Sequence, residues 1–291
     1  MSIPPARERS YYNFLTSQQY DLLIKSTCCI YILLTSQQYN FMIIACANQK
    51  GGVAKTTSVI SLGGLLIKTG SCLVVDLDPQ GNLTTGLGVE VAENQITSYE
   101  VITERATAND ALMTTSSGLS LIPSDINLAK GEPEILSKVG NFGLLKEYLE
   151  PIEHKFKHIL IDCPPSLGLL TINGLTAADA VLIPVQCQFF ALKGLAALLE
   201  TIQSVQKRLN PDLKILGVLP TMAEMQTVMT QDVLASLKKR LQNVHVFEPV
   251  PKSVKFAESN LAGEPINIYA GDKKLVQPYQ AIADLIAAGE K

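Results

Sequence analysis

The sequence predicts an α/β fold with a doubly wound, mostly parallel sheet and helices on both faces. Short apolar runs alternate with longer segments of helical periodicity along most of the chain, which is the pattern of successive βαβ units. Most of these runs show no polar alternation, as is typical of strands that helices cover on both sides. A content of 47% hydrophobic and 18% charged residues excludes a disordered, collagen-like or coiled-coil protein.

The start of the chain differs from the remainder and is predicted to be an N-terminal extension, 1–41, ahead of a single domain, 42–291. Leu15–Tyr20 recurs letter for letter as Leu34–Tyr39, and two copies are too few for a solenoid. Two interpretations remain open. The extension is either an adaptor or oligomerisation arm, or a poorly ordered segment ahead of a true start at Met42.

The first strand is predicted at Met42–Ala47, followed by a glycine-rich turn and a helix over about Thr56–Lys68 that Gly70 ends as a C-cap. Further short apolar runs predict strands at Cys72–Val75, Leu119–Ile122, His158–Ile161, Ala180–Val185, Lys214–Leu219 and His245–Phe247. Periodicity predicts helices at Leu192–Leu209 and Val228–Leu241. The stretch 91–118 is weakly patterned and supports no motif.

The turn after the first strand has the composition of a phosphate-binding loop. Gly51 and Gly52 permit a tight turn and a close approach of the backbone to a ligand. Successive N–H groups and the N-terminus of the next helix can then bind phosphate oxygens. Lys55 is placed to neutralise β- and γ-phosphates, and the Thr56 hydroxyl is placed to bind Mg²⁺. The loop therefore indicates a fold of the P-loop NTPase type.

The standard Walker A pattern requires glycine where Gln49 and Ala54 stand, so this loop is a deviant form. We expect its whole length to bind the nucleotide phosphates. The residues concerned are Lys50, Gly51, Gly52, Val53, Ala54, Lys55, Thr56 and Thr57.

Acidic residues end two later strands. Asp76 and Asp78 point the same way from extended backbone, and either could hold a metal-bound water or orient an attacking one. Asp162 ends an apolar strand, which is the Walker B arrangement for contacting Mg²⁺ directly or through water. Each aspartate alone could equally be a helix cap or a turn residue. Together with the loop they predict a magnesium site at Thr56, Asp76 and Asp162.

From about residue 42 to the C-terminus the chain resembles the ParA/Soj branch of the ParA–MinD ATPases. Their deviant Walker A motif, K-G-G-x-x-K-[T/S], is present as Lys50–Thr56. The resemblance continues through Val75–Asn82, Ile161–Pro165, Phe189–Leu195 and Val250–Glu258, and it leaves out the first 41 residues.

The resemblance implies an ATPase with ATP and Mg²⁺ as cofactors, which holds two ATP molecules between two subunits of a homodimer. By this resemblance, Lys50 reaches across the dimer to the partner's ATP, and Lys55 binds the nucleotide of its own subunit. Asp78 is the residue needed for hydrolysis, so that Asp78 and Lys50 are the implied catalytic residues. The implied adenine and ribose contacts are Pro220, Thr221, Met222, the segment from Pro251 to Val254, and Gln188.

The same resemblance implies a partition protein of the cytoplasm and nucleoid. The ATP-bound dimer would bind DNA without sequence preference, and a ParB-type adaptor would stimulate hydrolysis and release it, so that a plasmid or chromosome is segregated. One alternative is the same cycle applied to a protein cargo such as carboxysomes. Another is a membrane-cycling regulator of the MinD type, which the near absence of basic residues in 278–291 disfavours.

The sequence disfavours two other classes of protein. A metabolic P-loop enzyme or iron–sulfur relative is disfavoured because the cysteine spacing gives no pair for a bridging cluster, although Cys163 beside Asp162 is a candidate for bound iron. A nucleotide switch with negligible turnover is disfavoured by the presence of Asp78.

Charge is distributed unevenly. The net charge is −3, whereas residues 207–274 carry ten Lys or Arg and seven Asp or Glu. Such a patch suffices for contacts to DNA phosphates, although it could equally be a solvated helix face. The candidate DNA contacts are Lys238, Lys239, Arg240, Lys252 and Lys255. Lys193 stands where many members of the family carry Glu, and is either an interface residue or an exposed lysine.

Overall fold

The structure is a computed structural model and describes residues 42–188 and 191–288, with the side chains of 191–193 excepted. These residues form one seven-stranded sheet in the order β3-β4-β2-β5-β1-β6-β7. The strands are β1 (Met42–Cys46), β2 (Cys72–Asp76), β3 (Met113–Thr114), β4 (Ser120–Ile122), β5 (His158–Asp162), β6 (Ala180–Gln186) and β7 (Lys214–Thr221). The predicted extension 1–41 and its repeat lie outside the described residues, as does the side chain of Lys193.

All neighbouring strands are parallel except the short β3, which pairs antiparallel with β4 at one edge. The register places Cys46 of β1 opposite Asp162 of β5, and Asp76 of β2 opposite the same Asp162. The carboxyl ends of three adjacent strands therefore lie at one level. This alignment brings the glycine-rich loop and both acidic strand ends to the same edge of the sheet.

Helices cover both faces of the sheet, as the sequence predicts. They are α1 (Lys55–Leu66), α2 (Asn82–Gly86), α3 (Ser98–Ile102), α4 (Ala108–Ala111), α5 (Leu128–Leu136), α6 (Leu144–Glu153), α7 (Leu169–Ala177), α8 (Ala191–Arg208), α9 (Val228–Arg240), α10 (Lys255–Leu261), α11 (Ile266–Tyr269) and α12 (Lys273–Ala288).

Alternate residues of the strands supply two separate hydrophobic cores. Ile44 of β1 packs in one core with α1 and α12, whereas its neighbour Ile43 packs in the other with α6, α7 and α8. Successive side chains of a strand point to opposite faces, so a central strand must be apolar throughout when both faces are covered. The doubly wound, mostly parallel fold is thereby confirmed.

The predicted strand at His245–Phe247 is wrong, because this segment makes only a single bridge, between Val246 and Val218. The Val218 N–H donates to the His245 carbonyl, and the Phe247 N–H donates to the Val218 carbonyl. The next two bonds of a parallel ladder would need the N–H groups of Pro220 and Pro249, which proline lacks. The pairing therefore stops after one residue.

The end of the first helix also differs from the prediction. Helix α1 ends at Leu66, and its C-cap is Ile67 in a right-handed conformation. Gly70 is therefore not the cap. A Cβ atom at position 70 would lie 2.5 Å from Cδ of Lys157, so this glycine allows a close approach of that side chain.

The weakly patterned stretch 91–118 contains two short helices and the edge strand β3. Both helices begin with capping boxes, formed by Thr97 with Glu100 and by Thr107 with Asp110. A threonine followed three residues later by an acidic residue is a signature of a helix start. The signal was therefore present in the sequence, although the helices are only five and four residues long.

The C-terminal helix α12 is part of the core. Tyr279, Ile282 and Ile286 are buried, and they pack in the cluster that includes α1. Its apolar face is thus covered by the protein itself, which argues against a membrane-cycling helix of the MinD type. In the part of the chain that is described, no helix combines the length and apolar character needed to cross a bilayer.

Gly64 in α1 gives a test of how tightly the helices pack. A Cβ atom there would lie 2.3 Å from Cβ of Pro265 and 2.6 Å from Oδ1 of Asn267. Alanine improves helix propensity by about 1 kcal/mol, but overpacking against a rigid proline ring costs about 1–3 kcal/mol. We expect Gly64→Ala to lower the free energy of unfolding by about 1 kcal/mol in urea titrations.

The matched control is Gly194→Ala in α8, where no described atom lies within 4 Å of the added Cβ. The same substitution should there raise the free energy of unfolding by about 0.5–1 kcal/mol. Equal effects at the two positions would contradict the close contact between α1 and the segment before α11.

Candidate functional site

The glycine-rich loop between β1 and α1 is tied to the two neighbouring strands. The buried Asn48 donates from its side-chain amide to the Pro184 carbonyl at 2.6 Å, and its Oδ1 accepts from the Lys50 N–H at 2.9 Å. The Thr221 hydroxyl donates to the Val53 carbonyl at 3.0 Å. Because both anchors come from strands β6 and β7, the sheet itself fixes the loop conformation.

Lys55 is the first residue of α1, and it is buried. Its Nζ donates to the Lys50 carbonyl at 3.4 Å, which is a long hydrogen bond to a neutral acceptor. Burial of an ammonium group is unfavourable without an anionic partner. The position of Lys55 at the helix N-terminus therefore suits the binding of a phosphate group.

Thr56 and Asp162 have the geometry expected of a magnesium site. The Thr56 hydroxyl donates to Oδ2 of Asp162 at 2.6 Å. The other carboxylate oxygen, Oδ1, is buried and has no hydrogen-bond partner among the described residues. Burial, and then the nearby Asp76, raise the pKa of Asp162 well above its usual value. A hard cation coordinated by this free oxygen would relieve that cost, so these two residues fit Mg²⁺.

Asp76 is also fully buried, but protein groups occupy both of its oxygens. Oδ1 accepts from the Asp78 N–H at 3.1 Å, whereas Oδ2 accepts from the N–H and the hydroxyl of Thr84 at 2.9 and 2.7 Å. Burial raises the pKa of Asp76 to about 6. Its predicted metal contact stays a prediction, and these bonds give it a positioning role for the loop that carries Asp78.

Asp78 is 6% exposed and faces the same cavity as Lys55 and Thr56. Its Oδ1 accepts from the Gln80 N–H at 3.0 Å, which fixes the carboxylate within the turn after β2. The structure thus brings together Asp78 and the loop residues Lys55 and Thr56, which the sequence predicts to act on one substrate.

The cavity at this edge of the sheet has a volume of about 600 Å³. The predicted site residues that line it are Gly51, Gly52, Ala54, Lys55, Thr56, Thr57, Asp78 and Met222. The lining also includes Gln80, Asn82, Pro165 and Ala257, which lie in segments that match the family but were given no role, and Thr85, Gly86, Asn260 and Leu261, which lie outside those segments.

A second cavity of about 320 Å³ adjoins the first and shares Ala54, Thr57, Met222 and Ala257 with it. Its walls include the segments for which the resemblance implies adenine binding, namely Thr221, Met222 and Pro251 to Val254. Pro220 does not line it and is buried within β7. Two joined cavities, one beside the phosphate loop and one mainly apolar, match the two ends of a nucleotide.

Lys50 forms hydrogen bonds within its own chain. Its Nζ donates to Oε1 of Gln188 at 2.9 Å and to Oε1 of Gln186 at 3.4 Å. Gln188 is exposed, so the ammonium group is held at the surface by two neutral amides. A reach across a dimer stays a prediction, and it would require Lys50 to leave these partners.

The basic residues of the candidate DNA surface fall into two groups. Lys238, Lys239 and Arg240 are exposed at the C-terminal end of α9. In contrast, Lys252 forms an ion pair with Glu224 at 2.7 Å, and Lys255 forms one with Asp272 at 3.2 Å. The end of α9 is therefore the better candidate of the two.

Cys163 is buried, and its pKa is raised chiefly by that burial. Among the described residues, no three His, Cys, Asp or Glu side chains are grouped so that they could hold a metal ion.

Sequence reasoning missed Asn48, Thr84 and Gln186 as residues that position the site. Asn48 stands at the start of the loop, directly after the first strand, and a buried amide there could have been suspected. The bond from Thr84 to Asp76 joins residues that are eight positions apart, and Gln186 meets Lys50 across 136 positions. No local pattern indicates either contact.

Ala54, which replaces the motif glycine, has a left-handed backbone with φ of 65°. This conformation costs about 1–2 kcal/mol for a residue with a Cβ atom, and glycine would remove that cost. Glycine also has more conformational freedom in the unfolded chain, which cancels about 0.4–1 kcal/mol of the resulting stabilisation. We expect Ala54→Gly to raise the free energy of unfolding by about 0.5–1 kcal/mol.

The control is the same substitution at Ala235, which is exposed within helix α9. Ala235→Gly should lower the free energy of unfolding by about 1 kcal/mol, because glycine disfavours a right-handed helix. A loss of stability in both variants would contradict backbone strain at Ala54.

The comparisons with known proteins agree on one family. A family model described as an AAA domain matches residues 41–215. The sporulation initiation inhibitor protein Soj of Bacillus subtilis is 43% identical over 248 residues, which cover 84% of this chain and 98% of that protein. The chromosome partitioning protein ParA of Caulobacter vibrioides is 40% identical over 231 residues, which cover 78% of this chain and 86% of that protein.

A solved structure shares the fold. The structure of cobyrinic acid a,c-diamide synthase from Mycobacterium smegmatis with bound ATP analog and magnesium is 39% identical, with a TM-score of 0.74. The match covers 84% of this chain and 93% of that one. Identity at this level over nearly the whole described region, together with the deviant phosphate loop and the two acidic strand ends, shows that the chain belongs to the Soj/ParA family of chromosome-partitioning ATPases.

Proposed function

We propose that this chain is an ATP-hydrolysing partition protein that forms an ATP-dependent homodimer and binds DNA without sequence preference. Hydrolysis, stimulated by a ParB-type adaptor, then releases it, so that a plasmid or chromosome is segregated. The proposed place of action is the cytoplasm, at the nucleoid. Family membership supports the partition role, and the site supports the nucleotide chemistry.

The observation that carries the proposal is the contact between Thr56 and Asp162. Their oxygens lie 2.6 Å apart at the end of the phosphate loop, and the second Asp162 oxygen is buried without a partner among the described residues. A hydroxyl from the loop and a carboxylate from the neighbouring strand are the groups that hold Mg²⁺ in P-loop nucleotide sites.

Each residue of the site then has a defined task. Lys55 neutralises negative charge on the β- and γ-phosphates, and the loop N–H groups hold their oxygens. Thr56 and Asp162 would hold Mg²⁺, which would neutralise part of the negative charge of the phosphates. Asp78 orients the attacking water through its carboxylate. The mainly apolar second cavity, lined by Met222 and Pro251, receives the base.

Dimer formation completes the site in this proposal. Lys50 exchanges its two amide partners for the phosphates bound by the partner subunit. The exchange replaces neutral acceptors with anionic ones, which adds Coulombic attraction to the hydrogen bonds of the ammonium group. The exposed position of Gln188 keeps Lys50 at the surface, where a second subunit could be reached.

A first test uses Asp78→Ala. Without the carboxylate that orients water, we expect hydrolysis to fall by about 10²-fold or more while ATP still binds. Light scattering with Mg-ATP should show a persistent dimer of twice the 31.5 kDa protomer mass. Phosphate release measures the hydrolysis. Normal hydrolysis by this variant would contradict the role given to Asp78.

Three further variants sharpen the same experiment. Lys55→Ala should lose nucleotide binding, whereas Lys50→Ala should keep binding within its own subunit and dimerise weakly. Asp232→Ala, which removes an exposed carboxylate on α9, is the control and should behave as the wild type. Failure of the wild type to dimerise with Mg-ATP would exclude the sandwich arrangement.

The DNA contact is tested at the end of α9. The double variant Lys238→Gln, Lys239→Gln should weaken binding to nonspecific duplex DNA. It should also reduce the slope of log affinity against log salt by about two, since each phosphate contact contributes about 0.9. Fluorescence anisotropy of labelled DNA at several salt concentrations, with Mg-ATP present, measures both quantities.

The matched control removes the same charge elsewhere. Lys207 and Arg208 are exposed at the end of α8, so Lys207→Gln, Arg208→Gln should leave the salt slope unchanged. Equal losses in the two double variants would show that net charge alone governs binding. An unchanged slope in the α9 variant would exclude this surface.

A further inference from the structure

Strand β6 and the residues that follow it hold Lys50 at two points. Asn48 donates to the Pro184 carbonyl at 2.6 Å and accepts from the Lys50 N–H at 2.9 Å, which fixes the Lys50 backbone. The ammonium group is held separately, because it donates to Oε1 of Gln186 at 3.4 Å and to Oε1 of Gln188 at 2.9 Å. The ammonium group can therefore leave its partners by rotation of the side chain, while the loop stays in place.

Met222 fixes the orientation of the Gln186 amide. Nε2 of Gln186 donates to Sδ of Met222 at 3.3 Å, while Oε1 accepts from Lys50. A thioether sulfur only accepts hydrogen bonds, and an ammonium group only donates them. Exchange of the two ends of the amide would place its NH₂ group against the ammonium group and its oxygen against the sulfur. Only the observed orientation serves both neighbours, so Met222 keeps the amide oxygen directed at Lys50.

Met222 is also a wall of the nucleotide site. It lines both the cavity beside the phosphate loop and the second, mainly apolar cavity. Its backbone is left-handed, with φ of 52°, which is unfavourable for a residue with a Cβ atom. Such a conformation persists only where the surrounding structure imposes it. The residue that orients the Gln186 amide is therefore fixed at the place where the proposed nucleotide binds.

We propose that Gln186 and Gln188 are positioning residues that hold Lys50 within its own subunit and so oppose dimer formation. We call this pair the amide clasp. In a monomer the clasp competes for the ammonium group that the proposed dimer places on the partner's phosphates. This inference rests on the proposed function, because it concerns the step that precedes that contact across the dimer. Met222 keeps the clasp closed by orienting Gln186.

The clasp is expected to be weak but significant. One hydrogen bond to a neutral acceptor changes an equilibrium by about 2- to 10-fold. Gln188 is exposed, so water competes with it for the ammonium group and the lower end of that range applies. A symmetric dimer has two clasps, and both must open. The dimer Kd therefore changes by the square of the effect in one subunit, and an effect of about 3-fold becomes about 10-fold.

The first test needs no dimer. Acetylation of the nucleotide-free full chain with a limiting amount of N-hydroxysuccinimidyl acetate, followed by peptide mass spectrometry, measures the reactivity of each lysine. An ammonium group must give up a proton before its nitrogen can attack, so acceptors that hold its protons slow the reaction. We expect Gln186→Leu, which removes the amide and keeps the size, to raise the reactivity of Lys50 by about 3-fold relative to exposed Lys238 in the same sample.

Gln186→Glu should have the opposite effect. The carboxylate keeps an oxygen against Lys50 and adds Coulombic attraction, so we expect the reactivity of Lys50 to fall by about 3-fold or more. Opposite effects of two substitutions at one position distinguish a hold on Lys50 from a general loss of structure. Met222→Leu should give a smaller rise, of about 2-fold, because the Gln186 amide can then present either end to Lys50.

The matched controls are Gln203→Leu and Gln203→Glu. Gln203 is exposed on α8 and lines neither of the two nucleotide cavities. The two control substitutions make the same changes in side-chain chemistry and charge as those at Gln186. They should leave the reactivity of Lys50 unchanged.

The second test measures the dimer. Light scattering with Mg²⁺ and a nonhydrolysable ATP analogue, over a range of protein concentrations, gives the dimer Kd. We expect Gln186→Leu to lower this Kd by about 10-fold, which is the square of its effect on one subunit. Gln203→Leu should leave the Kd unchanged. A substitution that only damaged the fold would raise the Kd instead.

Three results would overturn the proposal. The first is equal reactivity of Lys50 in Gln186→Leu and in the wild type. The second is a change of Lys50 reactivity in the same direction in Gln186→Leu and Gln186→Glu. The third is a dimer Kd for Gln186→Leu that equals or exceeds that of the wild type.

A failure of the proposed function is recognised separately. A wild type that stays monomeric with the analogue would exclude the dimer, and with it the inhibitory role of the clasp, while faster acetylation in Gln186→Leu would still show that Gln186 holds Lys50. A wild type that dimerises, with unchanged acetylation and unchanged Kd in Gln186→Leu, would exclude the clasp and keep the proposed function. The two failures are therefore distinguishable.

Discussion

The parallel register of three central strands is the constraint on which the rest of the structure depends. Because β5 lies between β2 and β1, Asp162 stands opposite both Asp76 and Cys46, and the phosphate loop begins directly beyond. Evenly spaced parallel ladders keep the strand ends at one level. A shift of one residue would turn Asp162 to the other face and bury an apolar side chain in the site. The two-sided apolar packing of these strands excludes such a shift.

This register concentrates like charges in an apolar setting. Asp76 and Asp162 are both fully buried, and burial raises the pKa of each. Lys55 lies close enough to Asp162 to favour its charged form, but it does not remove the cost of burying that carboxylate. The two carboxylates differ in their hydrogen bonding. Thr84 and the Asp78 N–H saturate Asp76, whereas Asp162 keeps one oxygen free beside Thr56. Asp76 therefore positions the loop that follows β2, whereas Asp162 has a free oxygen that a cation could bind.

The loops around the site are held by side-chain hydrogen bonds to or from the neighbouring strands. Asn48 and Thr221 tie the phosphate loop to β6 and β7, and Thr84 ties the Asp78 turn to Asp76. Such anchoring costs little entropy, because strands in a covered sheet are already rigid.

The sequence by itself determined the fold class, the phosphate loop and the acidic strand ends. Two-sided apolar strands, glycine in a turn and lysine before a helix are local signals, and each follows from the chemistry of adjacent residues. The sequence did not determine where elements such as α1 end. It also did not show that His245–Phe247 fails to form a strand, because this failure results from prolines on two segments that meet only in the folded structure. Only the tertiary structure decided that Asp76 holds Thr84, that Lys50 rests on Gln186 and Gln188, and that Lys252 and Lys255 are ion-paired. These contacts join residues that are far apart in the chain or on different loops, where the folded backbone alone sets which side chains meet.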